Sequence, residues 1–235
     1  GSGVYRYAIM RNPTEPIYNE DGTHYENFGI NYYYNPVGIL EEQTGKYIVE
    51  NTRMTGNITF EPIKGWQTNL MVGRVTSMSH NRNFQTTEYY GQEMYNYTGT
   101  ASHSQGESQT DNLELTSKYT HTWDKHRFDA LVGYSYQYNV NEGFNAWNRN
   151  FPTDFYEYNN LGIGTYLKDG KAGMGSYKND NTLIGFFGRV SYGYDNKYNV
   201  LVSVRREGSS KFGANNKWGT FPSVSLGWTI SNEEF

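Results

Sequence analysis

The sequence contains no cysteine. Disulfides, thiolate metal sites and cysteine nucleophiles are excluded with it. Histidine is scarce, with 5 residues and no HxxxH or HxH pair, so nothing in the spacing supports a zinc site. Basic excess is also missing: the formal net charge is -4, which offers no phosphate-binding surface for nucleic acid. No segment approaches the ~18 consecutive apolar residues of a membrane helix. A transmembrane barrel stays open as a reading, because its strands hide apolar residues at alternate positions. The first residues, "GSGVYRYAIM", lack the basic start and long apolar core of a signal peptide. No spacing pairs a nucleophile with a base, so no catalytic residue is assigned and the chain reads as a non-enzyme.

What is present is aromatic. Of 235 residues, 17% are Phe, Trp or Tyr, with 23 Tyr, although only 36% are hydrophobic. Disordered chains are poor in aromatics, so a folded chain is expected.

Period two runs through the sequence. In "DNLELTSKYTHTW", Leu113, Leu115, Tyr119 and Trp123 share one parity, and Glu114, Thr116, Lys118 and Thr120 the other. In the next run Phe128, Ala130, Val132, Tyr134, Tyr136, Tyr138 and Val140 oppose Arg127, Asp129, Ser135, Gln137 and Asn139. Alternation of this kind marks the two faces of a strand. At about 3.3 Å per residue the second run spans roughly 50 Å, long for a soluble sheet. Similar alternation places strands at Met54–Phe60, Trp66–Val72, Ile184–Tyr194, Tyr198–Val204 and Val224–Trp228. Arg74 falls on the apolar parity of its strand, and a bulge near Gly73 would account for it.

The connections alternate in length. "EPIKG", "DKH" and "DNK" are short; the stretches Ser79–Thr110, Glu142–Asn181 and Glu207–Thr220 are long. Long structureless loops are uncommon in compact domains, and here they recur at every second connection. Trp66, Trp123, Phe128, Tyr194, Tyr198 and Trp228 flank the short turns, where a membrane interface would hold aromatic rings. The expected fold is all-β: an antiparallel transmembrane β-barrel, here a partial arc of about seven strands with short periplasmic turns and long extracellular loops. Residues 1–52 are expected to form an extracellular region leading into the barrel, and 53–235 the barrel segment. An odd strand count and open edges imply further strands outside this sequence. A soluble, aromatic-rich glycan-binding β-sandwich is the alternative.

The last fifty residues carry distinctive words: "GFFGRVSYGYDNKY", "RREGSSKFG", "NKWGTFPSVSLGW" and "ISNEEF". With "RNPTEPIYNEDG" and "TGNITFEPIKGW", they resemble the SusC/RagA-type TonB-dependent transporters of the Gram-negative outer membrane. Glu207 departs from the aspartate most relatives carry there. The resemblance implies a 22-stranded barrel with an N-terminal plug domain, which this chain is not expected to contain. It implies a SusD-like lipoprotein cap, TonB acting through the plug, and import of oligosaccharides or peptides across the bilayer. A passive porin is the alternative function; no cofactor is implied.

Candidate substrate-contacting residues are aromatic loop residues: Trp147, Phe155, Tyr156 and Tyr158 in one long connection, Tyr95 and Tyr97 in another. Rings stack on sugars and pack against peptides. They equally pack a loop on itself, as compact surface loops do. "YNEDGTHYEN" and "YEYNNLG" are rich in oxygen ligands but lack the spacing of an EF-hand, and read as solvated loop. Inward-facing charges such as Lys118, Arg127, Asp129 and Arg189 would set lumen polarity, while Leu131, Leu183, Phe187 and Leu201 suit contact with a plug.

Overall fold

The computed structural model describes residues 2–27, 33–92 and 95–234. It contains one antiparallel sheet of seven strands in sequential order. The strands are β1 Gln43–Ile63, β2 Trp66–Gln85, β3 Thr100–Trp123, β4 His126–Arg149, β5 Gly173–Tyr194, β6 Tyr198–Ser209 and β7 Trp218–Trp228. Two helices precede them, α1 Ser2–Met10 and α2 Pro36–Glu41. A two-sheet sandwich is not what the chain forms: all seven strands belong to a single sheet.

The strands run further than the alternation reaches. β1 starts ten residues before Arg53, and β2, β3 and β4 continue well into the stretches expected to be loop. Alternation records an apolar medium on one side only. Where both faces meet polar surroundings it fades, yet the hydrogen-bonded ladder continues. The long connections shrink accordingly to 86–99, 150–172 and 210–217.

The expected bulge at Gly73 is absent. Thr120 N donates to Gly65 O, and side-chain bonds join Thr68 to Ser117 and Arg74 to Asp111, each contact as far back along β3 as it is forward along β2, as an unbroken ladder requires. Arg74 keeps the outward parity of Val72. It meets the Asp111 carboxylate with two bonds, Nε to Oδ1 at 2.6 Å and Nη2 to Oδ2 at 2.9 Å. An ion pair, not a slip in register, accommodates the charge.

The chain divides into two compact units, each of three segments. One comprises Asn51–Ser77, Ser108–Asn141 and Lys178–Phe235. Its strands carry an apolar face open to the surroundings. Register aligns Tyr194, Tyr198 and Trp228 in one row, then Tyr192, Val200 and Leu226, then Val190, Val202 and Val224. Ile58, Phe60, Val132, Val202, Val224 and Leu226 are all largely exposed. Such a surface is untenable in water and normal against lipid.

The short turns close tightly. Asp124, Asp195 and Asn196 adopt positive φ of 47°, 52° and 53°, conformations that Asp and Asn tolerate best among non-glycine residues. The rings beside them have satisfied polar tips: Trp66 Nε1 donates to Ser117 Oγ at 2.7 Å and Trp228 Nε1 to Glu233 at 3.0 Å. Tyr119, His121, Trp123 and His126 stack successively at 6.1, 5.4 and 5.1 Å. His126 Nδ1 lies 2.6 Å from the Tyr192 hydroxyl.

Glycine lets rings lie flat on neighbouring strands. A Cβ on Gly133 would stand 2.3 Å from Phe187, and one on Gly208 2.8 Å from Trp218. Aromatic cover of this kind fixes register where a glycine would otherwise weaken the strand.

The other unit comprises Gly1–Glu50, Met78–Glu107 and Glu142–Tyr177. Its small core is Phe84, Ala101 and Phe151, with Tyr158, Leu161 and Ile163 packed against it. Near the N-terminus, buried Asn35 caps α2 by accepting from Val37 N, and its amide donates to the carbonyls of Ile17 and Tyr25. Asp21 accepts from both N and Oγ1 of Thr23, which holds its carboxyl below the usual range. The oxygens of that loop are therefore engaged in an Asx turn.

Candidate functional site

The aromatic connections fold around hydrogen bonds between one another. Asn150 Oδ1 accepts from Thr98 N at 2.8 Å, and Phe151 N donates to Thr98 O at 3.0 Å. Thr165 N donates to Asn150 O at 3.0 Å. Asn96 and Asn150 take positive φ of 56° each to make these turns. Asp154 binds both N and Oγ1 of Thr87 at 2.9 and 3.0 Å. Buried Asn148 donates to the carbonyls of Leu161 and Gly164, both at 2.7 Å. The result is a structured surface whose backbone polar groups are partnered within the unit.

Three of the six expected contact residues stand out from it: Tyr95 is 70% exposed, Phe155 83% and Tyr156 45%. Phe155 and Tyr156 form an edge-on pair at 5.1 Å. Tyr97 stacks on Tyr95 at 6.2 Å, and the Arg149 guanidinium lies over Tyr97 at 4.1 Å and over Trp147 at 5.0 Å. Tyr95, Tyr97, Arg149 and Trp147 thus form a continuous column. Trp147 is half-buried because its indole occupies the space a Cβ on Gly173 would need, 2.2 Å from Nε1. Tyr158 lies against the Phe84–Phe151 core, and its carbonyl is 2.6 Å from His103 Nε2.

Beside the column lies an open cleft of about 430 Å³, lined by Asn96, Tyr97, Thr98, Asn150, Phe151, Pro152 and Thr165. Amides, hydroxyls and one aromatic face are the groups by which pockets orient polar organic ligands. Arg149 was missed in the sequence. Its signal was its place two residues beyond Trp147 on the same parity, which becomes informative only once the strand is known to reach that far.

On the inward parity of the other unit, Asp129 accepts from Thr120 at 2.7 Å and from Arg127 at 3.0 Å, with Lys118 at 3.7 Å. Arg205 binds Glu207 at 2.7 Å and Ser135 at 3.2 Å, and covers Phe187 at 5.3 Å. Glu207 is thus engaged in an ion pair. Among the described residues no cluster of His, Asp or Glu could hold a metal ion.

No family model matches the chain. Individual relatives do. TonB-dependent receptor P3 of Formosa agariphila is 31% identical over 241 residues, covering 100% of this chain and 22% of the relative. TonB-dependent receptor SusC of Bacteroides thetaiotaomicron is 47% identical over 60 residues, 26% of this chain and 6% of SusC. A solved structure of the RagAB peptide transporter superposes with a TM-score of 0.77 at 21% identity, over 90% of this chain and 23% of that one. The chain belongs with the SusC/RagA-type TonB-dependent transporters. It spans 22% of the length of the first relative, so it corresponds to a section of such a barrel. The seven strands match a stretch of that transporter's barrel, with short turns and long connections alternating along the sheet.

Proposed function

We propose that this chain is a section of an outer-membrane active importer of oligosaccharides or oligopeptides. The observation that carries it is the alignment along the whole chain with a TonB-dependent receptor, on a sheet whose outer face is apolar. The location is the outer membrane of a Gram-negative bacterium. Energy arrives from TonB through a plug domain encoded outside this sequence, and a SusD-like lipoprotein closes the extracellular mouth. Tyr95, Phe155 and Tyr156 offer exposed rings to substrate or cap, and the column through Tyr97, Arg149 and Trp147 supports Tyr95. The chain does no chemistry on its cargo.

Uptake by the full-length transporter provides the test. Accumulation of a labelled oligosaccharide or oligopeptide is expected to cease when TonB is deleted and to fall when the cap protein is removed. Uptake that is indifferent to TonB would replace the importer with a passive porin.

A further inference from the structure

The β6–β7 hairpin carries a positive charge pattern that the transport reading does not use. Arg205 points inward and is neutralised by Glu207 at 2.7 Å. Arg206, its neighbour, points outward. Its Cα lies in register with Phe186 on one side and Thr220 on the other. Its guanidinium stands 5.6 Å from the Trp218 ring, which itself stacks on Phe186 at 6.2 Å. Among the described residues no carboxylate lies within ion-pair distance of Arg206, Lys211 or Lys217. Arg74, also outward, is fully paired with Asp111. The 210–217 connection is closed by Ser209 N to Lys217 O at 2.9 Å and tied to β5 by Ser210 N to Thr182 O at 2.9 Å.

Height decides what this cation meets. Tyr198 and Trp228 mark the lower girdle, and Val200, Val202 and Val204 rise from it on the outward face. Arg206 is the next outward residue, about 26 Å along the strand from Tyr198, or roughly 20 Å along the membrane normal at a 40° tilt. That is the upper limit of the apolar band, where lipid phosphates lie. An unpaired guanidinium over an indole, above a column of valines, is complementary to a phosphate whose acyl chains lie on those valines.

We propose that Arg206, flanked by Trp218, is a binding site for the phosphate of an anionic lipid headgroup in the outer leaflet. The proposal rests on the barrel fold and is independent of the imported substrate. The hydrophilic "RREGSSKFGANNKWG" stretch then has two jobs on its two faces: Arg205 organises the lumen wall, and Arg206 holds the lipid.

The experiment uses the full-length transporter, purified in neutral detergent and titrated with phosphatidylglycerol, with phosphatidylcholine in parallel, by native mass spectrometry. Phosphatidylglycerol is expected to bind more tightly, with the preference weakening as salt rises. Arg206→Gln should lower its affinity roughly fivefold, as expected for one lost cation near an anionic surface. Arg189→Gln, which removes the same charge from the inward face, should leave it unchanged. Heat-modifiable migration on gels verifies that each variant is folded. Equal phosphatidylglycerol affinity in wild type and Arg206→Gln would overturn the site. Equal competition by glycerol phosphate, which lacks acyl chains, would overturn the lipid as its occupant.

Discussion

Glu233 joins three of the family-like words into one unit. Its carboxylate accepts from the Tyr198 hydroxyl at 2.6 Å, Trp228 Nε1 at 3.0 Å and Lys197 Nζ at 3.1 Å. "DNKY", "SLGW" and "ISNEEF" therefore share a single acceptor, and two girdle rings are aimed by it. These bonds, the tyrosine first, lower the Glu233 pKa to about 2 from 4.5. A depressed carboxylate pKa stabilises the fold above the unfolded value and loses that contribution as pH falls towards the folded one. The effect is thus complete above about pH 4.5 and fades towards pH 2. Glu233→Gln should lower the unfolding temperature at pH 7, and the gap to wild type should narrow as pH drops through that window. A gap that is constant from pH 7 to pH 2 would show that ionisation is irrelevant. The same scale separates the candidate residues. Tyr95 and Tyr158 are both tyrosines in polar, aromatic stretches, yet one is 70% exposed and the other packs on Phe151. Nothing local distinguishes them; the difference comes from which residues the fold brings alongside.

Ring-over-glycine pairs set the register of the β4–β5 and β6–β7 ladders. Gly133→Ala would drive a methyl into Phe187, displacing the ring from its place under Arg205. The expected cost is about 1–3 kcal/mol, that of an overpacked site, read from denaturant unfolding in micelles. Gly208→Ala should additionally shift the Trp218 fluorescence, because that indole occupies the vacated space. In the loop unit, Phe151→Ala opens a core of only three buried residues and should cost about 3 kcal/mol locally, seen as faster proteolysis within residues 150–172. Strand number and the apolar parity were legible because lipid on one face imposes strict alternation from Val200 to Val204 and from Phe128 to Val140. Strand ends were not, since above Arg74 and Asp111 the outward positions turn to Thr76 and Gln109 and the signal fades. Arg74 itself misled: a charge on the apolar parity reads as a slip until its partner, 37 residues away, is known.

In the full-length transporter, Trp147 and Tyr156 differ in what surrounds them. Trp147 is wedged over Gly173 and under Arg149, so its removal loosens the column that supports Tyr97 and Tyr95. Tyr156 is 45% exposed, and its ring meets Phe155 edge-on, which leaves a face open to a ligand. Calorimetry on the full transporter with its cap protein can tell support from contact. Tyr156→Ala should weaken substrate binding by about 1–2 kcal/mol, as truncation of an ordinary interface aromatic does, with unfolding unchanged. Trp147→Ala should lower stability as well, because a filled space becomes a cavity. A Trp147→Phe variant partly refills that space and should recover stability and affinity together if the role is support. Should Tyr156→Ala leave the affinity for glycans and peptides alike untouched, the exposed rings serve the cap. The substrate is then read by other groups, with the inward-parity charges Arg205 and Asp129 the next to substitute.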